Sequence, residues 1–235
     1  MPTNDRPDPH LSQTVDALIK DRFSARFFLP TPVDRQIIEE VVDAARYAPS
    51  GVHMQPWKVH CLAGPAKDAL AADMLQAHER KAEGTARYAY WPTPLPDEYA
   101  ERRREFGKFF YGRQGIEYRN EDARAASDAR NYKFFDAPIA LIFTIHQDLR
   151  VGWWLDLGHF MQFISLGLRA RGLESVSQLS IPKFDAIIRQ HLPIPEDELV
   201  ACGMSVGYPD LARVEQSYAR PPRRALEEIL QFHGL

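Results

Sequence analysis

Two cysteines in 235 residues, Cys61 and Cys202, without a CxxC pair, exclude a disulfide framework and a thiolate metal cluster. Both sit in apolar, strand-like runs and read as small core residues of a reducing compartment. Long apolar runs are also missing. The richest stretch, 151–168, is interrupted by Asp156, His159 and Gln162, which argues for a buried helix and against a membrane span. The first ten residues, MPTNDRPDPH, lack the apolar stretch of a secretory leader. They read as a disordered tail, and the cytoplasm is the expected location. A surplus of positive charge is absent too: the formal net charge is −3, which gives no pull toward nucleic acid. The eight histidines show neither HExxH nor Cys/His ligand spacing, so no metal is expected.

What is present is ordinary in amount: 45% hydrophobic and 26% charged residues, enough to bury a core without a metal or disulfide staple. No repeat, low-complexity tract or linker divides the chain, so 11–235 is expected to be one domain. The pattern is α+β. Residues 11–20 read as a short amphipathic helix. The turn at Pro30-Thr-Pro32 leads to a second helix carrying Ile37, Ile38, Val41, Val42 and Ala45, capped by Asp34 or by Thr31. Proline at 49 ends it. A strand follows at 57–62 and a helix at 67–78. The run 137–145 is continuously apolar, as in a central strand covered on both faces. A long helix over 151–171 stops at Gly172, with Arg169 and Arg171 in its last turn. A short strand at 173–177, a loop at 178–183, a helix at 184–192 and a buried strand at 199–206 complete the pattern.

Two segments carry chemistry. In Arg22-Phe-Ser-Ala-Arg-Phe-Phe28 an extended backbone points residues 22, 24 and 26 one way and 23, 25 and 27 the other. Arg22, Ser24 and Arg26 can then converge on one anion, because guanidinium matches phosphate bidentately and the hydroxyl adds a donor. The same spacing also suits an exposed basic turn. In Ala48-Pro-Ser-Gly-Val-His-Met-Gln-Pro-Trp57 a tight turn at Pro49, Ser50 and Gly51 lets backbone approach a flat ligand. Gln55 offers an acceptor and donors to the edge of a heterocycle. A plain helix–strand connection, with Trp57 in the core, fits equally well.

RxSxRxF, then a helix, then APSxxxxQPW resembles the FMN-dependent nitroreductase superfamily. Further along, Asn131-Tyr-Lys-Phe-Phe-Asp-Ala-Pro138, the helix ending LGLRARGL, the loop starting Gln178-Leu-Ser-Ile, CGMSVGYPD and the terminal RRALEE resemble successive parts of the same family. The middle stretch YWPTPLPDEYAERRREFG is similar to the nitrobenzoate and nitroaromatic reductase subgroup. The similarity runs from about residue 20 to the end.

The resemblance implies a mainly antiparallel sheet surrounded by helices, in an intertwined homodimer with FMN at the interface. It implies that Arg22, Ser24, Arg26 and Arg223 hold the phosphate and ribityl chain. Pro49, Ser50, Gly51 and Gln55 of the other subunit would line the ring. Asn131, next to Arg130, would contact the ring or ribityl region. The Gln178–Ile181 loop, with Gln178, Leu179 and Ser180, would cover one ring face and give a backbone N–H near N5 from Leu179, Ser180 or Ile181; Pro182 has none to give. His53 stands where the family often has Asn. It either supplies a proton or hydrogen bond in the site or replaces the Asn structurally.

The activity implied is reduction of nitroaromatic or quinone-like acceptors with NAD(P)H by a ping-pong cycle. The alternatives are a reductive dehalogenase of halogenated phenols on the same fold, for which no zwitterion clamp is visible, and a non-catalytic flavin-binding protein. Residues 84–133 mix tyrosine, tryptophan and phenylalanine with arginine. They read as a helical insertion or lid that can close over a small aromatic substrate, with Glu98, Glu101, Glu105 and Glu117 diluting any charge patch.

Overall fold

The computed structural model describes residues 8–217 and 220–234; most of the expected N-terminal tail, residues 1–7, lies outside them. Pro9 and His10 are already helical, since Asp8 accepts the His10 N–H and caps the first helix, α1 (Pro9–Asp21). The second helix, α2 (Arg35–Ala45), is capped by Asp34 and not by Thr31. Strand β1 (Trp57–Ala63) runs into α3 (Gly64–Glu79). Residues 84–133 supply two helices, α4 (Asp97–Gly112) and α5 (Glu121–Ala129), and the start of a short 3-10 segment at Arg130–Asp136. Then come β2 (Ile139–His146), α6 (Val151–Arg169), β3 (Glu174–Gln178), α7 (Asp185–His191), β4 (Glu198–Gly207) and α8 (Leu211–Ser217).

The four strands form an antiparallel sheet in the order β1-β2-β4-β3. Period-2 alternation sorts β2 between two layers. Ile139, Leu141, Phe143 and Ile145 face a core shared with α2 and α6, while Ala140 and Ile142 face one shared with α3 and α7. Both faces are covered, and every residue of β4 is buried. This is why 137–145 and 199–206 read as unbroken apolar runs. Strand β1 is different: it pairs only with β2 and lies at an edge. Cys61 is therefore exposed, which corrects its assignment to the core; Cys202, on β4, is buried as expected.

Two glycines of β4 fix how closely its neighbours approach. A Cβ at Gly203 would lie 2.6 Å from Ile181 Cγ1, and one at Gly207 would lie 2.6 Å from Pro138 Cδ. Helix α6 ends where Gly172 takes a φ of +76°, and Leu173 N–H returns to the Leu168 carbonyl at 3.1 Å. No helix among the described residues is long and apolar enough to cross a membrane.

Candidate functional site

The segment after α1 is held against the sheet by its backbone. Ala25 N–H donates to Ser175 O at 3.2 Å, and Leu29 N–H donates to Tyr208 O at 2.9 Å. Phe23 and Ala25 point into a small core with Phe135, Ala137 and Val176. Arg22 and Ser24 point the other way, as the alternation requires. The pattern then slips: Phe28 is the buried residue, not Phe27. The carbonyl of Phe27 is engaged by Asp210 N–H at 3.0 Å, and its ring lies between the guanidiniums of Arg130 and Arg213, at 4.5 and 4.4 Å.

Arg22, Ser24 and Arg223 line one cleft of about 520 Å³, together with Lys20, Gln162 and Arg220. Residues 200 positions apart in sequence thus meet at one cation-rich concavity suited to a phosphate. Arg220 closes one end by donating to the carbonyls of Lys20 and Asp21. Arg26 does not join them, which corrects the expected three-way convergence. Its guanidinium stacks 4.8 Å over Phe110 of α4, and Nη1 donates to Ser24 O at 3.2 Å. It lines a narrower cleft with Gln114, Ser127 and Arg130. Behind Arg22 lies the buried Glu174 carboxyl, ion-paired with Arg169. Burial pushes its pKa up, with Arg169 and then Arg22 opposing the shift.

The turn before β1 is a strained shelf. Gly51 N–H donates to Asp156 Oδ2 of α6 at 2.9 Å, and Gln55 N–H donates to Ser50 Oγ at 3.0 Å. Between these pins Val52, His53 and Gln55 have φ of +46°, +61° and +47°, a left-handed run that costs energy for non-glycine residues. Histidine and asparagine both tolerate that region better than most side chains. The backbone therefore accounts for His53 without a chemical role. The shelf stands out from the chain, with Val52 89% exposed. Pro49 and Gly51 are also exposed, and Gln55 lines a separate cleft with Trp57 and Lys58.

Asn131 lies in the short segment after α5. Its Nδ2 donates to Asp128 O at 3.0 Å. Gln178 does not offer its side chain to the surface: it is 2% exposed, its Nε2 donates to Asn131 O at 2.7 Å, and its Oε1 accepts from Ser205 Oγ at 2.6 Å. Any part Gln178 takes in the expected loop is then through its backbone or through Asn131, since its side-chain amide is engaged at both ends. Leu179 is exposed beside it. Among the described residues the buried Ser180 Oγ has no hydrogen-bond partner.

A family model described as the nitroreductase family matches residues 19–208. The chain belongs to the nitroreductase family. It is 38% identical over 224 residues to a 4-nitrobenzoate reductase of Pseudomonas putida, covering 95% of this chain and 97% of that protein. It is 32% identical over 222 residues to a nitrobenzene nitroreductase of Ectopseudomonas oleovorans, covering 94% and 97%. Among solved structures, the FMN-dependent nitroreductase NfnB from Mycobacterium smegmatis in complex with NADPH superposes with a TM-score of 0.89 at 28% identity, covering 95% of this chain and 99% of that one. The order of motifs from RxSxRxF onward thus reflects shared ancestry and a shared fold.

Within this nitroreductase framework α4 and α5 form a hairpin over the Asn131 segment. Tyr111 OH donates to Asp128 Oδ1 at 2.8 Å, and Ser127 Oγ donates to Gln114 Oε1 at 2.9 Å. Burial is the main cause that raises the pKa of both Tyr111 and Asp128. The hairpin leaves Tyr99 and Phe106 exposed, and Tyr90 and Trp91 are exposed on the stretch leading to it. Tyr88 is anchored, meeting Trp154 edge to face at 4.8 Å and donating to Ala201 O at 2.6 Å. Five residues of the candidate site were missed by sequence reasoning: Lys20, Asp156, Gln162, Ser205 and Arg220. Asp156 had a readable signal, a lone carboxylate in an apolar helix.

Proposed function

We propose that this chain is an FMN-dependent oxidoreductase that reduces nitroaromatic or quinone-like acceptors with NAD(P)H, cycling by a ping-pong mechanism as a cytoplasmic homodimer. The observation that carries the reading is the convergence of Arg22, Ser24 and Arg223 in one cleft. FMN fits it: two guanidiniums and a hydroxyl match a phosphate monoester. The relatives named for nitrobenzoate and nitrobenzene, and the neighbour described with FMN and NADPH, support the same reading.

FMN, held there, would supply the hydride and electron-transfer chemistry between nicotinamide and acceptor. The protein holds and orients. Arg22 and Arg223 neutralise the phosphate, Ser24 donates to it, and Arg26 stands toward Phe110 at the cleft's flank. Asn131 presents its amide to the heterocycle, and the turn of Leu179 and Ser180 offers backbone N–H groups. Residues 84–133 form the wall against which a small aromatic acceptor stacks, excluding water.

The second copy completes the site. The shelf of Pro49, Ser50, Gly51 and Gln55 projects outward and is pinned to α6, whose Val151, Leu155 and Phe163 are exposed apolar residues. These exposed apolar residues beside the shelf support contact with a second copy, in which the shelf reaches the partner's cleft. Purified protein should be yellow and dimeric by light scattering. Under anaerobic conditions NADH or NADPH should bleach it, and a nitroaromatic such as 4-nitrobenzoate should restore the colour. If neither nicotinamide bleaches the flavin, the reductase reading falls and a flavin-binding protein remains.

A further inference from the structure

We infer that Gln178 and Ser205 act as positioning residues that aim the amide of Asn131 at the cofactor without touching it, an inference that rests on the FMN reading above. Both are among the most buried polar side chains, Gln178 at 2% and Ser205 at 0% exposure. Ser205 sits on the fully buried β4, beside Val176 of β3 in the strand register. Its hydroxyl meets Gln178 Oε1 at 2.6 Å.

That bond decides which end of the Gln178 amide faces which way. With Oε1 held by a donor, Nε2 is left to face Asn131, where it reaches the backbone carbonyl at 2.7 Å and Oδ1 at 3.4 Å. On its other side Asn131 Nδ2 is engaged by Asp128 O at 3.0 Å. The Asn131 amide is therefore held at both ends, one by α5 and one by the sheet. An amide carries two N–H donors and an oxygen with two lone pairs. These bonds use one N–H and one lone pair, so the group keeps one donor and one acceptor in a fixed plane. That is the complement a heterocycle edge presents.

A buried polar chain specifies one arrangement only when each member is satisfied. Here the order Ser205, Gln178, Asn131 runs from the rigid core outward to the site. Gln178 is the last residue of β3, immediately before the turn of Leu179 and Ser180. The same side chain thereby sets the Asn131 segment and the turn at a constant distance from each other.

The test compares purified wild type with the variants Asn131→Ala, Gln178→Met, Ser205→Ala and the double variant Asn131→Ala/Gln178→Met. FMN dissociation constants and the visible absorption bands of the bound flavin are read for each. Gln178→Met keeps the side-chain length and removes both hydrogen bonds. It should weaken FMN about tenfold, the scale of one lost oriented hydrogen bond, and shift the flavin bands. Ser205→Ala should move both readouts the same way by less. In the Asn131→Ala background Gln178→Met should cost clearly less than in wild type, because its contact with Oδ1 is already gone and the bond to the residue-131 backbone carbonyl is the part toward that segment left to lose. Additive losses, or a Gln178→Met spectrum identical to wild type, overturn the inference. Should Gln178→Met fail to fold, Ser205→Ala alone carries it: an unshifted spectrum and unchanged affinity overturn it. Wild type that binds no FMN refutes the underlying reading instead. Wild type that binds FMN with Asn131→Ala indistinguishable from it refutes the positioning role and leaves the cofactor assignment standing.

Discussion

Replacing Asp156 with alanine should loosen the shelf that carries Pro49, Ser50, Gly51 and Gln55. Asp156 is 8% exposed and accepts the Gly51 N–H at 2.9 Å. A hydrogen bond to a charged, buried acceptor contributes about 1.5–3 kcal/mol. Opposing it, left-handed backbone costs non-glycine residues roughly 1–2 kcal/mol each, and three such residues lie within the next four positions. The shelf is thus a strained loop held by few pins, and losing the main one lets it relax toward ordinary backbone. For a chain of this length 1 kcal/mol shifts Tm by about 2–4 °C, so the variant should melt roughly 4–10 °C lower. On the proposed reading, in which the shelf serves the partner's site, FMN retention should suffer far more than folding, by about tenfold to a hundredfold in dissociation constant. Differential scanning fluorimetry and equilibrium dialysis of FMN read the two effects separately. A variant that melts lower yet holds FMN with wild-type affinity and an unchanged visible spectrum refutes the assignment of the shelf to the cofactor.

Arg22→Ala and Arg223→Ala should each lower cofactor occupancy in purified protein, and added salt should weaken FMN binding less in either variant than in wild type. Flavin content per chain at two ionic strengths checks this. Glu174 holds its proton more tightly in the folded state than in the unfolded one. Its contribution is therefore fully present below the ordinary glutamate pKa and is lost as pH rises through the raised folded value. Glu174→Gln should flatten that decline in urea denaturation across pH 4 to 8, whereas an unchanged slope would show that another group sets it. A maleimide should modify Cys61 in the native protein and leave Cys202 untouched, since Cys202 is buried and its thiol is pushed up to about 12. Mass spectrometry of the native and unfolded protein distinguishes the two.

The parts legible in sequence were those governed by local rules. Asp34 caps a helix through its own neighbour's N–H, Gly172 ends one by its own φ, and the period of Ile139 to Ile145 follows from two covered faces. Arg22, Ser24 and Arg223, singled out by residue type and order, line one cleft. What was not legible depended on contacts distant in sequence. Arg26 turns away because Phe110, on a helix formed 84 residues later, offers it a ring. Cys61 is exposed because β1 lies at the edge, a fact of strand order that its apolar run does not encode. The burial of the Gln178 amide between Ser205 and Asn131 joins residues 27 and 47 positions away, which its place in a polar loop does not encode. The Asp156–Gly51 bond spans 105 residues and could be suspected only from the oddity of an acid in an apolar helix.

The tight seat of Ile181 on Gly203 bears on how such an enzyme diversifies. With no room for even one methyl group at that contact, the turn just before Ile181 rides on the sheet as one body. Substitutions that retune what enters the site are then confined to the shelf and the α4–α5 hairpin, which are attached through a handful of polar bonds. A lineage can exchange one aromatic acceptor for another by rewriting those two attachments, and the strand that seats the turn is closed to that experiment at position 203.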